Sequence, residues 1–259
     1  MLELAIGIML AGIIMSAAFS LYLAQHKHLL VQNDISDLQS ALRTVSAELA
    51  TNIRQAGYRL PEGIPAIEAF NSDPDTIALA FVSRELDGVQ TEQPMSSPSS
   101  PLLCDGHDLS SLGINDWIFI IDPTLNTGEY VLVSEIDNAN GVIQHSTMSL
   151  SRAYPAGCAL VKIKHFKYYI DSSDSTHPDL ICQINFGTPE VFAENITDLQ
   201  FRYVLSSLAE VDVPAIDRMV REVVIRITAR SESPDQDFQG QFRYRSLTTR
   251  VKVRNLSYN

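Results

Sequence analysis

From Leu4 to Leu23 the chain carries no charge, and only Ser16, Ser20 and Tyr22 interrupt a run of apolar and small residues. At ~1.5 Å per residue, a helix over this run would be about 30 Å long, the thickness of a bilayer core. The apolar positions then thin out without losing their period. Val31, Ile35, Leu38, Leu42, Val45 and Leu49 recur at alternating steps of four and three, which keeps them on one helical face. Gly7 and Gly12 are the only glycines before Gly57, and no proline occurs before Pro61. The pattern predicts one rod ending at a left-handed C-cap on Gly57. Such a rod is roughly 80 Å long, more than a membrane needs, so its second half must lie against a folded domain. Three segments follow: 1–28, greasy on all sides; 29–57, amphipathic; and 58–259, a globular head.

The period changes after Gly57. Proline-punctuated loop leads to an expected strand over 76–82, and further runs over 117–121, 129–136, 142–148 and 159–170 are bounded by turn dipeptides such as Asp122-Pro123 and Asn140-Gly141. Stretches 196–205, 219–230 and 241–254 alternate apolar with charged residues, as half-exposed antiparallel strands do. Such a sheet can take the face carrying Ile35, Leu38, Leu42, Val45 and Leu49. The fold class is therefore α+β: a long N-terminal helix packed on an antiparallel sheet, with a β-rich insertion. Residues 87–101 have almost nothing to bury and read as a mobile surface loop. Trp117, the only tryptophan, reads as a core anchor.

Charge narrows the function classes. The formal net charge is −12, and residues 58–213 carry seven basic against twenty-two acidic side chains. Nucleic-acid binding by this segment is not expected, since it requires clustered cations facing phosphate. Asp171, Asp174 and Asp179 are potential calcium ligands, but they lack the spacing, glycine and closing glutamate of an EF-hand, and a solvated turn is the favoured reading. His107 with Asp105 and Asp108 reads as a polar loop cluster. No metal site, cofactor, nucleophile signature or phosphate-binding glycine loop is expected, so neither is enzymatic activity nor a small-molecule substrate.

Glu3 stands at the lip of the apolar run. It is either a solvated head-group residue or a carboxylate drawn into apolar surroundings and paired with a positive group, most simply an N-terminal amine. Leu2-Glu3-Leu4, the apolar run, the amphipathic extension and the segment Asn52-Ile53-Arg54-Gln55-Ala56-Gly57-Tyr58 together resemble the N-terminal helix of type IV pilin-like proteins. The match is narrower to the PilW-type minor pilins, whose helix tends to end in arginine-glutamine-alanine-glycine-tyrosine. The later strand Asn195-Ile196-Thr197-Asp198-Leu199-Gln200-Phe201-Arg202-Tyr203 and the closing Val253-Arg254-Asn255 are similar to their C-terminal halves. Glu3 departs from the family pattern, in which the acid is fifth after a leader cut.

The resemblance implies a structural subunit. Its head would stand in the periplasm and its helix in the inner membrane, and after assembly it would lie in an extracellular pilus, at or near the tip. His26, Lys27 and His28 after the apolar run would, by the positive-inside bias alone, put the head in the cytoplasm; the resemblance implies the reverse. Other minor pilins and the major pilin are the implied partners. Glu3 would pair with a neighbour's amine, while Leu4, Gly7, Ala11 and Gly12 would pack among neighbouring helices, the small residues allowing close approach. Export to an oxidising space favours one disulfide among Cys104, Cys158 and Cys182; Cys104 with Cys158 is the expected pair, Cys182 staying buried and free, though the other pairings stay open. Two alternatives are a minor pseudopilin of type II secretion and a membrane-tethered binding or adhesive domain that does not polymerise.

Overall fold

A computed structural model describes residues 2–125, 127–145, 150–174, 176–235 and 238–256, with side chains from residue 6 onward. A single helix, α1 (Leu2–Gln55), runs for 54 residues, about 80 Å. The uninterrupted helix-forming sequence predicts this length, and Gly57 stops it as expected, with φ of +80°.

Among the described residues fourteen strands follow: β1 (Ile67–Phe70), β2 (Thr76–Val82), β3 (Leu102–Leu103), β4 (Trp117–Asp122), β5 (Thr127–Asp137), β6 (Val142–His145), β7 (Ala159–Val161), β8 (Ile163–Asp171), β9 (Asp179–Ile184), β10 (Glu190–Ala193), β11 (Ile196–Leu205), β12 (Glu210–Val211), β13 (Val220–Arg230) and β14 (Tyr244–Lys252). They form three antiparallel sheets, ordered β1-β2-β8-β9-β10, β12-β11-β13-β14 and β3-β6-β5-β4-β7. Because β2 and β8 are neighbours, residues 83–162 form an insertion from one edge of that hairpin, and the third sheet belongs to it.

The main core lies where α1 meets the first two sheets. Leu38, Leu42, Val45, Leu49 and Ile53 are buried there against residues such as Leu199, Phe201, Val223, Ile225 and Ile227. Each fully buried aliphatic side chain contributes roughly 1.5–3 kcal/mol, so this seam accounts for on the order of 10 kcal/mol of gross stabilisation. Ile35, at the top of the expected seam, is only half-buried; the close packing begins one step later, at Leu38. Two polar bonds fix the register of helix on head. Ser46 and Thr249 share a hydroxyl bond of 2.8 Å, and Asn52 Nδ2 donates to the buried Tyr168 Oη at 2.7 Å.

The insertion has its own core, including Leu102, Ile118, Ile120, Val131, Val133, Cys158 and Leu160, and a small cluster of Ala80, Val82, Phe119 and Ile163 joins it to the first sheet. The stretch 87–101 is part of this core rather than a mobile loop. Val89, Thr91 and Met95 are buried, and Gln90 and Thr91 bridge to Ala159 and Cys104. Its few apolar residues sit where an extended segment turns them inward, which composition alone does not reveal. Trp117 also departs from expectation, being 37% exposed and edge-on to Tyr130 at 6.3 Å between ring centroids.

The three cysteines are free thiols. Cys104 and Cys158 share one core but lie on opposite sides of Thr91, which bridges to Cys104 and donates its backbone N–H to the Cys158 carbonyl at 2.9 Å. Two strand spacings of about 4.8 Å separate their backbones by roughly 10 Å, beyond the ~7 Å limit for a disulfide. The expected Cys104–Cys158 bond is thus not formed, because Thr91 lies between them. Burial, helped by Asp105, pushes the Cys104 thiol up to about 12, which keeps it protonated and unreactive.

Candidate functional site

Every described side chain from Ile6 to Leu30 is exposed. Among the described residues α1 is one helix long and apolar enough to cross a membrane. Its large apolar groups point in all directions: Ile8, Met9, Ile14 and Met15 are each about two-thirds or more exposed. No other described residue covers them, and a bare surface of this size marks a membrane or protein contact. The polar interruptions are muted locally, since Ser20 Oγ donates to the Ser16 carbonyl at 2.9 Å. Gly7 and Gly12 have nothing within 4 Å of where a side chain would sit, so no contact inside this chain demands their smallness. Ala11 lies on the same exposed stretch. Glu3 and Leu4 belong to the helix, but their side chains lie outside the described residues.

The far end of α1 brings together the two stretches that carry the sequence resemblance. Asn255 Nδ2 donates to the carbonyls of Arg54 and Gln55, at 2.9 and 3.1 Å, satisfying groups that a helix end leaves open. Gly57 N–H donates to the Ala80 carbonyl at 2.9 Å, tying the helix end to β2. An added Cβ at Gly57 would meet Leu256 Cδ2 at 2.5 Å, so glycine is required there twice, by φ and by space. Ile53, Ala56 and Val253 are core residues.

A cleft of about 610 Å³ opens at this junction, lined by Arg54, Arg84, Lys164 and Arg254, with Tyr58 and Phe81 on its walls and no carboxylate among its lining residues. Arg84 lies over the Tyr58 ring at 5.6 Å. Lys164 and Lys162 both reach Glu85, at 2.5 and 3.1 Å, and Lys162 also reaches Asp116 at 2.7 Å. Burial pushes the Glu85 carboxyl up, but hydrogen bonds from the two lysines outweigh it and bring it down to about 2. The cations come from four separate parts of the chain, and no local spacing in the sequence signals them.

The polar loop clusters do not converge. Asp105 pairs with His107 at 2.7 Å, while Asp108 turns to the Ser110 N–H and Oγ. Asp171, Asp174 and Asp179 each accept a backbone N–H, from Ser173, Thr176 and Asn195 respectively. Among the described residues no group of three His, Cys, Asp or Glu side chains is placed to hold a metal ion.

The architecture defines an α+β protein with a membrane-capable N-terminal helix docked through its second half on antiparallel sheets, an arrangement compatible with a pilin-like fold. No protein-family model matches the sequence, and no curated protein matches it.

Proposed function

We propose that this chain is a minor pilin: a subunit whose helix resides in the inner membrane until it is withdrawn and packed into a type IV pilus, where it initiates assembly with other minor pilins. The observation that carries the reading is the division of α1. Residues 38–56 are locked into a head core, whereas the entire surface from Ile6 to Leu30 is left bare. A membrane anchor needs only about 20 apolar residues in lipid, and the same surface can exchange lipid for neighbouring helices. Gly7 and Gly12, unused within the chain, are the residues that would let a second helix come close. Glu3 would be surrounded by hydrocarbon in a helix bundle and paired there with an amine, a partner worth several kcal/mol once water is excluded.

The test is recovery of this chain in sheared pili and in cross-linked complexes with partner pilins. Glu3→Ala and Glu3→Gln should leave the head folded and the protein in the inner membrane, while recovery in both fractions falls sharply. Unchanged recovery with both variants, or absence of the wild-type chain from pili, would leave a tethered periplasmic domain instead. Recovery with a secretion pseudopilus would assign the subunit to that machine.

A further inference from the structure

The basic cleft at the bottom of α1 has a counterpart of opposite sign higher on the same helix. Asp34 and Asp37 of α1, with Glu194 and Glu232 of the head, line a notch of about 130 Å³, and Asp37 and Glu194 continue into an adjoining cleft of about 520 Å³ beside Val191 and Phe192. Arg230 is the notch's one cation; it is buried, and its guanidinium is engaged by the carbonyl of Thr176, by Asn195 and by the ring of Phe242. The four carboxylates leave the notch net acidic, while the lower cleft, with Arg54, Arg84, Lys164 and Arg254, has no lining carboxylate.

We infer that the basic cleft of one copy receives the acidic groove of a second copy of this chain, displaced along the helix axis. The displacement follows from the helix itself: from Arg54 back to Asp37 is about 25 Å at ~1.5 Å per residue. Charge complementarity selects this occupant, since cations beside Tyr58 and Phe81 meet carboxylates beside Val191 and Phe192. The lipid that holds the helix is too distant to serve, because Arg54 lies about 45 Å beyond Leu23, the end of the apolar run. The two surfaces differ, so the contact is heterologous and open-ended, able to add copies along one direction.

Two copies side by side in a bilayer sit at equal depth, which sets basic cleft level with basic cleft. A shift of about 25 Å draws most of the apolar run out of the ~30 Å hydrocarbon core, so the contact forms only when one copy has been withdrawn relative to the other. That role in assembly rests on the pilin reading, whereas the pairing itself stands on charge and length. Solution association of the full-length chain therefore tests the pairing alone.

In detergent micelles, which hold no common depth, sedimentation velocity at low salt should show micromolar self-association that weakens at 0.5 M salt. Arg54→Glu with Arg254→Glu leaves the cleft with two cations against two carboxylates, and Asp37→Lys with Glu194→Lys leaves the notch with three cations against two carboxylates; each pair should weaken self-association about tenfold or more. These four side chains are exposed, and circular dichroism checks that the folds are retained. Mixing the two double variants should restore association, because the intact acidic groove of the first meets the intact basic cleft of the second. A monomeric wild type at low salt, or a mixture that fails to associate, overturns the pairing. So does binding of the wild type to vesicles containing anionic phospholipid that is lost in Arg54→Glu/Arg254→Glu without any change in self-association, which would assign the cleft to lipid.

Discussion

Gly57 shows how one residue couples the helix to the end of the chain. Its φ of +80° closes α1, its N–H reaches β2, and its missing side chain leaves room for Leu256. Gly57→Ala should destabilise the head by about 1–3 kcal/mol, combining left-handed strain with a displaced core leucine. Gly63 is the control: its φ is +87° but nothing lies within 4 Å, so Gly63→Ala should cost only the backbone term, about 1 kcal/mol. Urea denaturation of the two variants separates them, and equal midpoints would show that the Leu256 contact does not matter. The turn at Gly57 is legible in the sequence because a glycine ends a long periodic run. Its second requirement is not, since Leu256 arrives from the opposite end of the chain.

At the scale of elements, the α1 face was readable from period alone. Leu38, Leu42, Val45 and Leu49 fall on the core as the steps of four and three require, because a helix repeats every 3.6 residues whatever it packs against. Leu42→Asp should prevent stable folding, placing an unpaired carboxylate in the core at a cost of several kcal/mol against a typical total of about 5–15. Gln39→Asp, on the exposed face, should leave thermal stability within about 0.5 kcal/mol of the parent. Equal behaviour of the two variants would mean that α1 does not dock through this face. The strands over 76–82, 196–205 and 219–230 were legible for the same kind of reason, a period of two. Strands β9 and β10, and the inward-facing residues of 87–101, were hidden. β9 and β10 are short and their apolar residues run consecutively, those of 87–101 are sparse, and neither arrangement shows a period; partners distant in sequence supply the rest of their burial.

The whole molecule adds an electrostatic tie between insertion and main head. Glu85 follows β2, Asp116 precedes β4 and Lys162 ends the insertion, while Lys164 lies in β8, so the Lys164–Glu85 pair crosses from one lobe to the other and Lys162 ties Glu85 to Asp116 beside it. With its folded value held at about 2, below the ordinary carboxylate range, the Glu85 carboxylate adds stability that is complete above about pH 4.5 and lost as pH falls through 2. Discounted for its partial exposure, the contribution is about 1 kcal/mol. Glu85→Gln should therefore lower the wild-type melting temperature at pH 7 and converge with wild type near pH 2; a constant difference across that range would refute the linkage. By itself the sequence determined what depends on local period and composition: the length of α1, its apolar and amphipathic halves, the Gly57 stop, the α+β class and the acidic excess. Only the tertiary structure decided what depends on residues far apart meeting in space. It set Thr91 between Cys104 and Cys158, gathered Arg54, Arg84, Lys164 and Arg254 into one cleft, and put a groove of opposite sign above it, because these arrangements are made by strand order and helix docking rather than by spacing along the chain.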